Sequence, residues 1–275
     1  MSYETREISI HAGKPVRLYE FERGALRWSY CTAVRDLSYL ARTWRALPIR
    51  DDGVRLTGEP SADALRITAP ADIEVAAMFR AAPPSAEIGV VVRDYHAGEA
   101  DVAESARAVW VGSISGVRWP QQDRCEIACE SMHASMERTG LRLTWERNCP
   151  YTIYDQNCRV PGATHEVLAT VQSLDGAAIS AGAFGAQPDG FFAGGFVRWS
   201  IGGGEYEQRG VESHVGDELV LLGGTHGLAG GVEVAAYPGC RQTRAYCVDQ
   251  FANGANFGGA EHMPGKSPYD GNPVM

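Results

Sequence analysis

The sequence predicts a mainly β protein: an N-terminal β-barrel or β-sandwich region, followed by a smaller β-rich domain that ends in a helix. Apolar and polar residues alternate in short runs, and glycine, proline and aspartate separate these runs. Helical periodicity is confined to one stretch in the first half and one near the C-terminus. With 275 residues, 44% of them hydrophobic, the chain can bury one large core or two modest ones.

The first half is predicted to consist almost entirely of strands. The runs VRLYEF (16–21) and ALRWSYC (25–31) alternate on either side of the turn ERG, as a β-hairpin does. The same alternation predicts five further strands, at 53–58, 64–70, 88–95, 106–117 and 141–146.

One short helix is predicted within this region, at ADIEVAAMFRAA (71–82). Ile73, Ala76, Ala77 and Met78 can share one helical face, and two prolines then end the helix. We predict that this helix packs on the sheet.

The main domain boundary is predicted near Asn148. It divides the chain into 1–147 and 148–275, with a possible further boundary near residue 84 in the proline-containing stretch AAPPSAE. In the second part, strands are predicted at 164–174 and on both sides of the glycine turn 202–204. A helix is predicted from Cys240 to about Ala252, before a glycine- and proline-rich tail.

Composition limits the classes of function. The net charge is −9 and the pI about 5.3, so a basic face for specific nucleic-acid binding is not expected. The N-terminal sequence shows no signal peptide, and no stretch approaches the roughly 18 apolar residues of a membrane span. We therefore expect a protein made in a reducing cytosol, where clustered cysteines are more typical of metal ligands or reactive thiols than of disulfides.

Four of the seven cysteines form two spaced pairs, Cys149 with Cys158 and Cys240 with Cys247. On a helix, the seven-residue spacing would put Cys240 and Cys247 on one face, with α-carbons about 10 Å apart. Zinc sites usually use tighter C-x2-C knuckles, whereas iron-sulfur clusters accept more varied spacings. The spacing therefore favours a cluster modestly and leaves zinc, two disulfides or four unligated thiols as alternatives.

The C-terminal sequence carries a resemblance to a known family. The string CRQTRAYCVDQFANGANFGGAEHMPG resembles the C-terminal signature of the tail-tip hub proteins of long-tailed bacteriophages, a family that includes the phage lambda tail tip protein and the hub protein of gene transfer agents. CPYTIYDQNC is similar to the earlier cysteine pair of that family. PVRLYEFERGALRWSYCTAVRDL and FVRWSIGGGEYEQRGVESH are similar to its hairpins, so the resemblance spans nearly the whole chain.

This resemblance implies a cofactor, a role and partners. It implies a [4Fe-4S] cluster held by Cys149, Cys158, Cys240 and Cys247 that closes the second domain, while the residues themselves leave zinc as the alternative metal. It also implies a non-enzymatic baseplate or tail-tip hub, trimeric by analogy. Such a hub would be made in the host bacterial cytoplasm, incorporated into the virion tail tip, and in contact with a distal tail protein, a central fibre or spike protein and possibly a tape-measure protein.

Other candidate sites are weaker. His165 lacks the second histidine of a zincin motif, and GSISG (112–116) has isoleucine in place of a nucleophilic serine. The remaining candidates are expected to have structural roles or to be solvated. Buried thiols are expected at Cys31, Cys125 and Cys129, solvated groups at Asp94, Asp101, Glu104, His214 and His226, and core or subunit contacts at Trp110, Trp145 and Trp199.

Two other classes of function compete with a structural virion protein. An iron-sulfur redox protein is one, although no flavin or dinucleotide fingerprint accompanies the cysteines. A zinc-stapled β protein that binds a partner is the other. The metal content of anaerobically purified protein separates these alternatives, because zinc sites are colourless and iron-sulfur clusters are brown.

Overall fold

The computed structural model describes residues 3–11, 13–55, 57–59, 62–98, 106–136, 140, 143 and 145–263. The chain divides into two compact units. The first comprises Met1–Arg138 and Ile201–Glu207, and the second Thr139–Ser200 and Gln208–Met275. The predicted boundary near Asn148, with a possible further one near residue 84, stays a prediction.

The first unit is built on a nine-stranded sheet. The strands follow the spatial order β3-β4-β2-β1-β7-β8-β9-β6-β5. They are β1 (Pro15–Arg23), β2 (Leu26–Cys31), β3 (Leu37–Tyr39), β4 (Arg42–Ala46), β5 (Arg50–Asp51), β6 (Leu65–Pro70), β7 (Gly89–His96), β8 (Arg107–Arg118) and β9 (Arg124–Ser131).

The predicted hairpin of β1 and β2 is confirmed. The two strands pair antiparallel from Leu18 opposite Cys31 to Arg23 opposite Leu26. Gly24 takes a positive φ of 55° in the two-residue connection, a conformation that glycine adopts without steric cost. The alternation that predicted the hairpin thus corresponds to a real pairing register.

The predicted mainly β class is confirmed, but the described strands do not close into a barrel. The sheet has two distinct ends, β3 and β5, and these edge strands are only three and two residues long. Its main core combines aliphatic and aromatic side chains from several strands, including Phe21, Ile67, Val90, Trp110 and Ile127. The indole N–H of Trp110 donates to the Asp63 carbonyl at 2.9 Å, which satisfies the polar atom of this buried ring.

Three predictions for the first half differ from the structure. The helix of 71–82 is confined to α2 (Glu74–Ala77), and its buried residues include Val75, whereas Ala77 is exposed. Among the described residues of 53–58 no strand forms, and residue 56 lies outside them. In 141–146 the described residues 143, 145 and 146 are irregular, and the other three lie outside the described part of the chain.

Asp94 also departs from its prediction as a solvated loop residue. It lies on β7, where its carboxylate accepts from Arg17 Nε at 2.8 Å. The same Arg17 donates to Asp51 at 2.9 Å, and Tyr19 Oη donates to Asp51 at 2.6 Å. Asp101 and Glu104 lie outside the described residues.

The second unit contains most of a seven-stranded sheet in the order β10-β16-β13-β14-β15-β12-β11. The glycine turn at 202–204 separates β13 from β14 as predicted, whereas the predicted single strand of 164–174 is split into β10 and β11. The strands are β10 (Val167–Thr170), β11 (Ser173–Asp175), β12 (Ala178–Ser180), β13 (Phe196–Gly202), β14 (Glu205–Val215), β15 (Glu218–Leu221) and β16 (Glu233–Tyr237).

Helices are few and short. Beside α2, those in the described part of the chain are α1 (Tyr3–Glu7), α3 (Met132–Met136) and α4 (Arg244–Phe251), and short 3₁₀ turns occur at Gly162–Thr164, Phe184–Ala186 and Gly254–Asn256. No helix in the described part of the chain has the length and apolar character needed to span a bilayer.

Candidate metal centre

The two predicted cysteine pairs lie in different kinds of backbone. Cys149 and Cys158 lie in an irregular segment before β10. Cys247 lies within α4, but Cys240 precedes it, because the helix begins only at Arg244. The prediction that one helix presents both Cys240 and Cys247 on one face is therefore wrong. All four are free thiols; three are buried and Cys240 is half-buried.

Hydrogen bonds join the segments that carry the two pairs. The backbone N–H of Cys149 donates to the Gln242 carbonyl at 2.8 Å, beside Cys240. The Asn253 side-chain amide donates to the Cys158 carbonyl at 2.6 Å, and the Asn253 backbone N–H donates to the Cys247 carbonyl at 3.1 Å. Each cysteine of the first pair is thus tied to the segment of the second pair.

The loop before Cys158 is organised by one carboxylate. Asp155 accepts from the backbone N–H groups of Cys158 at 2.6 Å, Asn157 at 2.8 Å and Thr152 at 3.2 Å. An aspartate that bonds the backbone two or three residues away forms an Asx-type turn. This turn fixes the direction in which the chain presents Cys158.

Left-handed backbone is concentrated around the cysteines. Of six described non-glycine residues with positive φ, four flank the pairs: Tyr154 at 68°, Arg159 at 61°, Gln242 at 57° and Ala252 at 49°. This conformation is uncommon for side chains of this size and costs of order 1–3 kcal/mol per residue. Such strain is typical of sites where the backbone must aim particular groups.

Two backbone N–H groups are aimed at sulfur atoms. The Gln242 N–H donates to Cys240 Sγ at 3.3 Å, and the Gly258 N–H donates to Cys149 Sγ at 3.4 Å. The Asn253 side-chain nitrogen lies 3.9 Å from Cys158 Sγ. Hydrogen bonds to sulfur stabilise the thiolate form and tune cluster potentials. Three of the four sulfurs therefore have an N–H donor directed at them.

The thiols lie in apolar and aromatic surroundings. Cys158 packs with Val160 and Phe251, and Cys240 contacts the edge of this group. The Tyr154 ring makes edge contacts with Phe196, Tyr237 and Phe251 at centroid distances of 6.0, 5.8 and 6.4 Å. Tyr154 Oη donates to the Pro238 carbonyl at 2.9 Å, so this half-buried ring is anchored at its polar end. The wall around the cysteines limits access of water.

The thiols influence one another electrostatically. Burial raises the pKa of the Cys240 thiol, and the nearby Cys158 and Cys149 raise it further, while the Gln242 N–H opposes them. Burial also raises the pKa of Cys247, and Cys240, Cys158 and Cys149 add to that increase. The four groups therefore lie within electrostatic reach of one another. A cation placed among them would reverse this effect and favour the thiolates.

The donor set suits a soft metal, because four cysteines, N–H donors to sulfur and an apolar wall are what thiolate-bound clusters use. Among the described residues, however, no three His, Cys, Asp or Glu side chains come close enough to hold one metal ion. A single zinc would need the sulfurs to converge at about 2.3 Å from one point. The described geometry thus presents no ready site for zinc or for any other single metal ion.

Several contributors to this centre are not predicted by sequence reasoning. Asp155 and Gln242 act through hydrogen bonds of backbone groups, and Asn253 acts through its side-chain amide. No thiolate-ligand sequence pattern includes contacts of these kinds. The one signal in the sequence is the Asn-x-x-Asn spacing of Asn253 and Asn256 within the C-terminal signature.

The weaker candidates have structural roles. Cys31, Cys125 and Cys129 are buried as predicted, and burial raises the pKa of each thiol, which keeps it protonated. Trp110 and Trp199 are core residues, whereas Trp145 is 85% exposed.

The predictions for two histidines need correction. His214, expected to be solvated, is buried, and its ring Nε2 lies 2.9 Å from the Gly216 carbonyl. His165 does not lie on a strand; it follows the 3₁₀ turn Gly162–Thr164, and its ring packs edge-on against Phe251. His226 is exposed, as expected.

Sequence comparisons find a matching family model and a curated relative. Residues 190–267, which include Cys240 and Cys247, match the model described as "Phage conserved hypothetical protein BR0599". An uncharacterized protein of Xylella fastidiosa (strain 9a5c) is 25% identical over 189 residues, 64% of this chain. The matched region spans 38% of that relative's length.

Comparison with solved structures finds a similar fold over the whole chain. A chain in the structure titled "Virion of native gene transfer agent (GTA) particle" superposes with a TM-score of 0.77 at 15% sequence identity. The match covers 100% of this chain and 96% of that one. The protein therefore shares the fold of a chain from that particle, and residues 190–267 are similar to a phage protein family.

Proposed function

We propose that this protein is a non-enzymatic structural component of a phage-type virion, acting as a baseplate or tail-tip hub. The observation that carries this proposal is the fold match to a chain of a gene transfer agent virion, which covers both chains almost completely. The phage family model over residues 190–267 supports the same class of protein. A match over 96% of the other chain favours the same architectural role rather than a borrowed domain.

A hub forms a ring and contacts different proteins above and below it. By family analogy the ring is a trimer, lying between a distal tail protein and a central fibre or spike protein, with the tape-measure protein as a further contact. Among the residues that the structure describes, four large apolar side chains are more than four-fifths exposed: Ile8, Ile10, Val34 and Trp145. Apolar and aromatic groups of this kind are the residues that subunit interfaces bury. The net charge of −9 suits a channel through which DNA passes without adhering.

The second part of the proposal is a [4Fe-4S] cluster held by Cys149, Cys158, Cys240 and Cys247. When bound, such a cluster supplies four metal–thiolate bonds and serves here as a mechanical clamp. The ligand pairs are 82 residues apart in sequence, so the clamp ties the start of the second unit to helix α4. Cross-linking segments so distant along the chain restricts the unfolded ensemble, and binding is thereby coupled to folding.

The chain's own groups support this role before any metal binds. Asp155 and the left-handed residues aim the cysteines, and N–H groups of Gln242 and Gly258 donate to two sulfurs. The apolar and aromatic side chains around Tyr154 and Phe251 limit the access of water. These contacts hold and shield the cysteines, and none of them involves a substrate.

The virion role is tested on particles released by the strain that carries the gene. Immunogold labelling of purified particles should place this chain at one end of the tail, and deletion of the gene should leave particles without a completed tip, restored by complementation. Recovery of complete, infectious particles from the deletion strain would contradict the proposal.

A further inference from the structure

Asn253 bridges the two cysteine pairs. Its backbone N–H donates to the Cys247 carbonyl at 3.1 Å, and its side-chain Nδ2 donates to the Cys158 carbonyl at 2.6 Å. Cys158 and Asn253 are 95 residues apart in sequence. One residue thus holds a ligand from each pair at a fixed relative position.

The orientation of this amide is set by a second asparagine. Asn256 Nδ2 donates to Asn253 Oδ1 at 2.6 Å, and the Asn256 backbone N–H donates to the Asn253 carbonyl at 3.0 Å within the Gly254–Asn256 turn. Because Oδ1 already accepts a hydrogen bond from Asn256, Nδ2 faces Cys158. The turn that follows α4 therefore determines which end of the Asn253 amide faces the cysteine.

The same nitrogen has a second hydrogen to give. Asn253 Nδ2 lies 3.9 Å from Cys158 Sγ, a long contact for a neutral thiol. A thiolate that carries charge in a cluster is a stronger acceptor and draws such a donor closer. Of the three N–H donors near sulfur, those of Gln242 and Gly258 are backbone groups, so Asn253 alone can be changed by substitution.

We propose that Asn253 is the positioning residue of the metal centre, holding Cys158 against helix α4 and donating a hydrogen bond to its sulfur. This inference rests on the proposed cluster. It assigns two effects to one side chain: a geometric effect through the Cys158 carbonyl and an electrostatic effect through the Cys158 sulfur. A residue with a purely structural role would affect retention of the metal but not its electronic properties.

The experiment compares Asn253→Asp with Asn157→Asp in the full chain, purified without oxygen. Asn253→Asp keeps the side-chain shape but replaces the N–H donor with a charged acceptor. Asn157→Asp makes the same chemical change next to Cys158, on an exposed side chain. Each protein is assayed for iron retention against a chelator and for the reduction potential of the cluster, followed by visible absorbance.

Asn253→Asp should retain iron about 10-fold less well than wild type, the low end of the usual effect of outer-shell partners. Its cluster should also have a more negative reduction potential, because the N–H donor beside Cys158 Sγ is lost and a charged acceptor takes its place. Asn157→Asp should resemble wild type in both respects. Asn256→Ala leaves the Asn253 donors in place but removes the hydrogen bond that orients the Asn253 amide. It should shift iron retention and reduction potential in the same direction as Asn253→Asp, but by less.

Two failures are distinguishable. If wild type carries the cluster and Asn253→Asp matches it in iron retention and potential, Asn253 has no positioning role and only this inference falls. If wild type purified without oxygen carries no cluster, both this inference and the proposed cofactor fall. Should Asn253→Asp not fold, Asn256→Ala decides between these outcomes, since it removes no contact to a cysteine.

Discussion

Replacing Gly258 with alanine is expected to damage the metal centre through a steric conflict with a single ring. A methyl group at this position would lie 2.5 Å from Tyr151 Cζ and 2.9 Å from Tyr151 Cδ2, closer than carbon atoms approach in folded proteins. Tyr151 packs against the group formed by Cys158, Val160 and Phe251. Relief of the conflict must therefore move either this ring or the backbone that donates to Cys149 Sγ.

The size of the effect follows from these two contacts. Forcing a methyl group into a packed site costs about 1–3 kcal/mol, and losing a hydrogen bond costs about 0.5–1.5 kcal/mol. The sum predicts a loss of about 1.5–4.5 kcal/mol in the free energy of unfolding of the second unit, measurable by urea denaturation without oxygen. Because the displaced N–H faces Cys149, the variant should also contain less iron than wild type.

Gly116→Ala is the matched control. Nothing lies within 4 Å of a methyl group placed at Gly116, and neither glycine has a left-handed backbone. The control should therefore differ from wild type by no more than about 0.5 kcal/mol and retain its iron. A Gly258→Ala protein with the urea midpoint and iron content of the control would refute the proposed steric role of Gly258.

Three other perturbations have defined outcomes. Cys247→Ser should lower the iron content and make residues 240–263 more sensitive to limited proteolysis, since loss of one ligand undermines a site coupled to folding; normal iron and normal particle yield would contradict the clamp. Asp51→Asn should cost about 2 kcal/mol at pH 7, measured by urea denaturation, because it removes one of the two carboxylates that Arg17 contacts and the charged acceptor of the Tyr19 hydroxyl. Burial alone would raise the pKa of Asp51, but hydrogen bonds from Tyr19 and Arg17 bring it below the ordinary value of 3.8. The stabilisation by the Asp51 carboxylate is therefore present above pH 3.8 and is lost as the pH falls through the lowered pKa. The difference in free energy of unfolding between wild type and Asp51→Asn should therefore narrow below about pH 4. A difference that widens in acid would contradict the lowered pKa of Asp51. Thr243→Ala should cost about 1 kcal/mol by the same assay, because the Thr243 hydroxyl caps α4 by accepting from the Tyr246 N–H; an unchanged midpoint would show that the cap contributes nothing.

Local patterns predicted local structure well. The hairpin of β1 and β2 and the turn at 202–204 depend on strand alternation and on glycines with positive φ, and both are visible in a short window of sequence. The helix predicted at 71–82 is too long, because four apolar residues match a helical face by chance. In the structure only one turn forms, and Val75 is buried in place of Ala77.

The cysteine spacing predicts which four thiols form the proposed centre but not the geometry around them. The spacing of Cys240 and Cys247 suits a helix, but Gln242 adopts a left-handed conformation and Thr243 caps the helix after it, so only Cys247 is helical. A left-handed glutamine gives no sequence signal. The role of Asn253 depends on Cys158, which is 95 residues away, and a contact over that distance cannot be inferred from one sequence.

His214 illustrates the same limit for burial. It lies next to a hairpin turn, where solvation is the usual outcome, yet the structure packs its ring edge-on against Phe192 at a centroid distance of 4.9 Å. Its neighbours in sequence give no indication of that aromatic contact. Burial at such a position is decided by tertiary packing.

The most direct test of the central claim is the metal and sulfide content of the full-length protein purified without oxygen. We expect a brown protein with about four iron atoms and about four acid-labile sulfides per chain, both lost when Cys149 and Cys240 are replaced by serine. A colourless protein with one zinc per chain, or with neither metal, would contradict the proposal that these four cysteines hold an iron-sulfur clamp.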